Sequence, residues 1–272
     1  MGTIKLKALT PAHVRALCRE KLDSGFSATS VQRVHALLHK ALKQAVNDGL
    51  LPRNVTEAVK APRQSRKEMQ TLYPEQVRAF LRTARGDRLE ALYLLAIHTG
   101  LRQSELFGLK WEDVDVENQR LSVRRILSAA KTGPTFTTPK NNKSRSVRLT
   151  PGAVEALHVH RQRQSEEREK LGGPYKDYGL VFCTQVGTPL NRNNVHTRSF
   201  KPLVEQADVP PTLRFHDLRH TFATLMLKGG EHPKVVQEMM GHATISCTLD
   251  TYSHVLPDMQ DKAAARLGDL LS

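Results

Sequence analysis

Residues 88–98, RLEALYLLAIH, are apolar on almost every side of a helix. A surface helix keeps a polar face, so one that is hydrophobic all round has to be buried. This stretch therefore needs a core built around it, and a 272-residue chain with 39% hydrophobic residues has the material. Thr99-Gly100 ends the helix, and Leu101–Leu109, LRQSELFGL, starts another against it. There Arg102 and Glu105, three apart, share a face. A charged pair directly after the most apolar helix is either a structural ion pair or an arginine held by a carboxylate to bind an anion.

The flanking segments read as mainly α with a small antiparallel β-sheet, an α+β class. Thr10-Pro11 is an N-cap with proline at N1, followed by Val14, Leu17, Cys18 and Leu22 at helical spacing. A second helix carries Val31, Val34, Leu37, Leu38, Leu42 and Val46 on one face and Arg33, Lys40 and Lys43 on the other. Residues 1–62 form this helical domain and 63–71 a polar, basic linker. Residues 72–272 hold the larger domain, with Val77, Phe80 and Leu81 facing inward from its first helix. The period changes after Trp111. VDVENQRLSVRRIL alternates, and Thr135–Thr138 and Ser146–Leu149 read as further strands, with residues 139–145, PKNNKSR, as a polar hairpin tip. A helix at 151–171, a short apolar strand at Leu180–Phe182 and a helix from Asn191 to Ala207 follow. The last of these bears Arg192, His196, Arg198 and Lys201 on its polar side.

Lys and Arg total 41 against 27 Asp and Glu, a net charge of +14. Residues 1–70 hold 13 Lys/Arg against 5 Asp/Glu, so a quarter of the chain carries more than half of the excess. That distribution is the footprint of a polyanion partner, with nucleic acid the leading candidate. The three cysteines, Cys18, Cys183 and Cys247, are far apart and form no CxxC pair, which argues against a zinc ribbon or disulfide framework and suits a reducing cytoplasm. No secretory signal or membrane span is expected.

Reactive side chains concentrate between Leu213 and His254. His216, Arg219 and His220 fall on the first turns of a helix running to about Lys228. Pro233–Met240 forms a second helix, and Gly241-His242 places an imidazole at a sharp bend. Tyr252 comes ten residues later. His216 and His220 at i,i+4 could form a metal pair, but Asp217 stands where a zincin glutamate would, and no third ligand is evident. These groups share a different logic. An attacked phosphodiester builds charge on its non-bridging oxygens, which forked arginine donors can clamp. A tyrosine hydroxyl can attack while an imidazole takes its proton. A lysine on the hairpin can protonate the leaving 5′ oxygen. No P-loop and no acidic two-metal cluster is present, so neither a metal nor another cofactor is expected.

TGLRQSEL at 99–106, TPKNNKSR at 138–145, HDLRH at 216–220, MGH at 240–242 and TLDTYSHV at 248–255 resemble, in order and spacing, the signatures of tyrosine recombinases, the phage-integrase family. The resemblance covers roughly residues 70–256. It implies Arg102 and Arg219 as the phosphate clamp, Tyr252 as the nucleophile and Lys140 as the general acid. It also implies His216 as the acid/base histidine, His242 as a phosphate ligand, and Glu105 and His220 as supporting residues. Arg33, Lys40, Lys43, Lys143, Arg145, Arg192 and Arg198 are the expected DNA contacts. The implied activity is site-specific recombination through a covalent 3′-phosphotyrosyl intermediate. Implied partners are duplex DNA with a specific site, a homotetramer docked through the C-terminal tail, and accessory DNA-bending proteins. The family's helical core-DNA-binding domain is matched only in its second half, and no arm-binding domain is visible. A truncated, binding-only member therefore stands beside the active enzyme, with a basic helical regulator as a third reading.

Overall fold

Helix α4 (Glu90–Thr99), the apolar stretch, is enclosed: Ala91, Leu92, Tyr93, Leu95, Ala96, Ile97 and Thr99 are all buried. The structure, a computed structural model, describes residues 2–63, 69–130, 133–139, 144–252, 264–265, 267–269 and 271. It divides into two compact units, Met1–Glu68 and Met69–Ser272.

The first unit contains α1 (Pro11–Asp23), capped by Thr10, and α2 (Ala28–Asn47), capped by the Ser27 hydroxyl. Val14, Leu42, Ala45, Leu51, Val55 and Val59 make its core. The inward face of α2 differs from expectation. Val31 and Leu42 are buried, but Leu37 is 69% exposed and Val34 lies at the surface. The packed stripe runs instead through Leu38, Leu42, Ala45 and Val46. One apolar stripe suffices to seat a helix on two neighbours, and residues outside it stay exposed whatever their hydropathy. Arg33, Lys40 and Lys43 are exposed on α2, as expected of that face.

In the second unit α3 (Pro74–Thr83) contributes Phe80, which meets Tyr93 of α4 edge-on at 5.7 Å between ring centroids. Gly100 ends α4 in the left-handed region, at φ +63°, and α5 (Gln103–Gly108) follows. Strands β1 (Val114–Asp115), β2 (Arg120–Val123) and β5 (Arg145–Arg148) form an antiparallel sheet in the order β1-β2-β5. Strands β3 (Ile126–Ala130) and β4 (Gly133–Thr137) form a separate two-stranded ribbon. Strands β4 and β5, expected to flank a hairpin tip, do not pair with each other but belong to different sheets; residues 140–143 between them lie outside the described residues. The pairing follows burial. Leu121 lies opposite Val147, and both are buried with Val123 and Leu149. The described β4 residues Thr135, Phe136 and Thr137 show no such alternation. Gly108 lets α5 lie on the ribbon, because a Cβ there would come within 2.8 Å of the Leu127 backbone nitrogen.

Helix α6 (Pro151–Leu171) covers α4. Leu180–Phe182, expected as a strand, is buried but forms only an isolated bridge from Leu180 to Lys110. Helix α7 (Arg192–Val195) continues through a wide π turn (His196–Phe200) into α8 (Lys201–Gln206), leaving Arg192 and Arg198 exposed. Helices α9 (Phe215–Lys228), α10 (Pro233–Met240) and α11 (Ile245–Tyr252) complete the unit. Most of the tail after Tyr252 lies outside the described residues; its described part is helical, with Leu267 and Leu271 exposed. All three cysteines are free. No helix among the described residues is long and apolar enough to cross a membrane.

Candidate active site

The C-terminal end of α10 is the hub of the site. A helix end leaves its last carbonyl groups without intrahelical partners and carries partial negative charge. Gly241 adopts φ +65°, and the amides of Gly241 and His242 turn back to Glu238 O and Gln237 O at 3.0 and 3.1 Å. This is a Schellman turn, and it aims the next carbonyls outward. Three arginines from three other elements take them. Arg219 on α9 donates Nη2–H to Met240 O at 2.8 Å and Nη1–H to Gly100 O at 2.5 Å. Arg102, at the cap of α5, donates to Gly241 O at 3.1 Å and at longer range, 3.4 Å, to Met240 O. Arg145 on β5 donates Nε–H to Met239 O at 2.8 Å.

Glu105 supplies the counter-charge and is 1% exposed. Its oxygens accept from the Arg102 amide (2.8 Å) and Nη1 (3.0 Å), and from Arg145 Nη1 (2.9 Å) and Nη2 (2.8 Å). A carboxylate offers about four lone-pair sites, so none remains for a proton in transit. Burial alone would raise the Glu105 pKa; the hydrogen bonds and charge of Arg145, then those of Arg102, hold it below the ordinary value. Arg145 is expected from the sequence as a DNA contact. It instead turns inward onto Glu105 and Met239, because a buried carboxylate and an orphan carbonyl satisfy its fork better than water. Three guanidinium groups against one carboxylate leave this locus net positive, suited to an anion.

A groove of about 820 Å³ opens beside the hub, lined among others by Arg102, Arg145, Lys234, His242 and Cys247. Pro139 and Ser144, which flank residues 140–143, also line it. Lys140 and Lys143 themselves lie outside the described residues. Arg219, 3% exposed, sits beneath the surface; burial and then the charge of Arg102 push its pKa down to about 9, which still leaves it charged at neutral pH.

Desolvation lowers the pKa of all three imidazoles of the site. His242 Nδ1 is 2.8 Å from the hydroxyl of Thr248, a buried α11 residue that the sequence did not single out. Burial, then Arg219 and Arg102, bring the His242 pKa down to about 4. His216 lies at the surface, its ring edge-on to His220 with centroids 4.8 Å apart. Its pKa is lowered by desolvation and then by Arg219. His220 Nδ1 is 2.7 Å from the Tyr252 hydroxyl, and burial, then His216, takes its pKa to about 4. Tyr252 is 1% exposed, and burial pushes its phenol up to about 12 although Arg219 acts the other way. Tyr252 is thus within hydrogen-bonding reach of His220 and does not line the groove.

Arg102, Glu105, Arg219 and His242 are therefore brought together directly, with His216, His220 and Tyr252 on the adjoining side of α9. Among the groove residues the sequence missed Lys234, which pairs with Glu238 at 3.2 Å. Its only signal was a lysine on the helix preceding MGH. Among the described residues no three His, Cys, Asp or Glu cluster as a metal site would require.

The phage integrase family model matches residues 70–259. A XerC-like tyrosine recombinase of Caldanaerobacter subterraneus subsp. tengcongensis is 32% identical over 98% of this chain and 73% of its own length. The ICEBs1 integrase of Bacillus subtilis is 28% identical over 98% of this chain and 72% of its own. Among solved structures, a variant of the Tn1549 transposon integrase in complex with transposon right end DNA superposes with a TM-score of 0.82 at 25% identity, covering 98% of this chain and 88% of that one. With motifs, fold and relatives in agreement, the chain belongs to the phage integrase family and is a tyrosine-type site-specific recombinase, an enzyme that breaks and rejoins DNA.

Proposed function

We propose that this chain cleaves one DNA strand at its recombination site by attack of Tyr252 Oη on the scissile phosphorus. The new O–P bond gives a 3′-phosphotyrosine, and the P–O5′ bond breaks. The reverse attack by a 5′-hydroxyl rejoins strands without an external energy source. Arg102 and Arg219 stabilise charge growing on the non-bridging oxygens, which accelerates the step only insofar as they bind the transition state more tightly. If the Thr248 hydroxyl donates to His242 Nδ1, the Nε2–H of His242 is free to donate to the same oxygens. His216 serves as proton carrier, Lys140 as the acid for the 5′ oxygen, and Glu105 as the anchor for the arginines. The observation that carries this reading is the convergence of Arg102 and Arg219 on Met240 O, beside His242.

The first unit acts as a partial core-DNA-binding domain, with Arg33, Lys40 and Lys43 on phosphates, and Lys143, Arg192 and Arg198 extend the contact from the second. Neutralising phosphates releases counterions, so binding should weaken steeply with salt. A homotetramer assembled on DNA through the C-terminal tail, accessory bending proteins and a cytoplasmic setting complete the proposal.

The test is a nicked duplex bearing the cognate site, from which the short fragment carrying the new 5′-hydroxyl diffuses away, so that rejoining fails and the covalent complex is trapped. Wild type should accumulate it and Tyr252→Phe should not. If wild type traps no more than Tyr252→Phe while still binding the site, the chain is a binding-only member.

A further inference from the structure

We infer that Arg145 is a positioning residue of the phosphate clamp: by fastening Glu105 to the last turn of α10, it sets where Arg102 and His242 point. The inference rests on the proposed roles of Arg102 and His242 and adds a residue that does not itself touch the reacting phosphate.

The geometry has three parts. First, all three nitrogens of the Arg145 guanidinium are engaged: Nη1 and Nη2 donate to the two oxygens of Glu105, and Nε to Met239 O. Its side chain is only 13% exposed. Second, two of the four hydrogen bonds on Glu105 come from Arg145 and the other two from Arg102 itself. Without Arg145 the carboxylate is held only by the residue it is meant to orient, and the pair can pivot together. Third, the guanidinium lies flat against Gly241, where a Cβ would come within 2.7 Å of Nη1 and 2.8 Å of Cζ. The glycine that makes the turn before His242 also makes room for Arg145. Strand β5, helix α5 and the end of α10 thus meet at one side chain. A lysine could supply the charge at this place but not the planar fork, which joins a carboxylate and a carbonyl at fixed angles.

The reaction amplifies small errors here. Clamp donors must meet oxygens whose charge appears only in the transition state, and a displacement of about 1 Å can cost on the order of 100-fold. DNA affinity, spread over many phosphate contacts, should not feel the same displacement.

The experiment compares Arg145→Lys and Arg145→Gln with wild type and Arg102→Lys, using single-turnover cleavage of the nicked duplex. Both Arg145 variants should cleave roughly 10- to 100-fold more slowly, with DNA affinity and its salt slope unchanged. A methylphosphonate at the scissile position removes the charge that the clamp neutralises. On that substrate the deficit of the Arg145 variants should shrink, as should that of Arg102→Lys. Three results would overturn the inference. One is a fall in affinity with a salt slope shallower by about one unit, which marks a direct phosphate contact. Another is wild-type cleavage by Arg145→Lys. The third is an equal deficit on both substrates, which marks general destabilisation. If Arg102→Lys itself cleaves like wild type, the clamp reading fails instead, and the two failures are distinguishable.

Discussion

Glu105 shows how one buried charge can organise several residues. Four donors from two arginines meet it at 2.8–3.0 Å, and it is almost completely enclosed. Such a group contributes little as a net stabiliser, but removing one partner strands the others. Glu105→Ala should therefore destabilise the second unit by about 3–5 kcal/mol, read as a shift of the urea midpoint at constant slope. A loss under about 1 kcal/mol, the scale of an exposed pair, would mean that the arginines are satisfied by the α10 carbonyls alone. The sequence exposed part of this arrangement. Arg102 and Glu105 lie three apart on a short helix, so local spacing reveals the pair. Arg145 lies forty residues from Glu105, beyond the reach of any local periodicity. Its place between β5 and α10 is fixed only by tertiary packing, which is why local spacing does not pair it with Glu105. The contact of Tyr252 with His220, thirty-two residues apart, escaped for the same reason.

The elements that carry the site were legible to different degrees. Helix α4 announced itself because a helix apolar all round has one solution, and α9 and α10 were bounded by their glycines and prolines. Helix α11 was missed: ISCTLDTY is rich in β-branched and polar residues, and only Thr248 and Tyr252, at i and i+4, are buried. The strands were visible but their partners were not, since pairing β2 with β5 depends on which faces meet the core. The junction of α4 and α9 shows how an element boundary serves the chemistry. Gly100 combines φ +63° with a Phe222 ring so close that a Cβ would fall 2.3 Å from Cδ1, and its carbonyl accepts from Arg219. Gly100→Ala should cost about 2–4 kcal/mol from left-handed strain and overpacking together, and it should slow strand cleavage by displacing the Arg219 anchor. Adding Phe222→Leu should recover part of the stability, because it removes the clash and leaves the backbone strain. Thermal denaturation of the single and double variants decides the point. Were the double variant less stable than Gly100→Ala, the ring would be a needed filler rather than the obstacle.

Across the whole molecule, the charge that suits this chain to DNA also shapes its response to acid. Burial is the first cause that lowers the pKa of His98, His160, His216, His220 and His242, and all five lie in the second unit. An unfolded histidine titrates near 6.5, whereas His220 and His242 in the fold titrate at about 4. Between those values the unfolded chain binds more protons than the folded one, so stability falls as the pH falls. The sign is opposite to that of a histidine gaining a carboxylate partner. The loss should begin near pH 6.5 and continue towards pH 4. The unfolding midpoint of the second unit should therefore decline between about pH 7 and pH 5, where most carboxylates remain ionised. General repulsion in a chain of +14 would produce a similar decline, but about 0.5 M salt shortens the Debye length to a few ångströms and would flatten it. Desolvation of buried rings is not screened in this way. A slope that persists at high salt and is reduced by combining His220→Asn with His242→Asn assigns the acid sensitivity to the active-site imidazoles. A flat stability profile from pH 7 to pH 5 would mean that these rings bind as many protons in the fold as in the unfolded chain, so that their pKa values stay close to the ordinary histidine value.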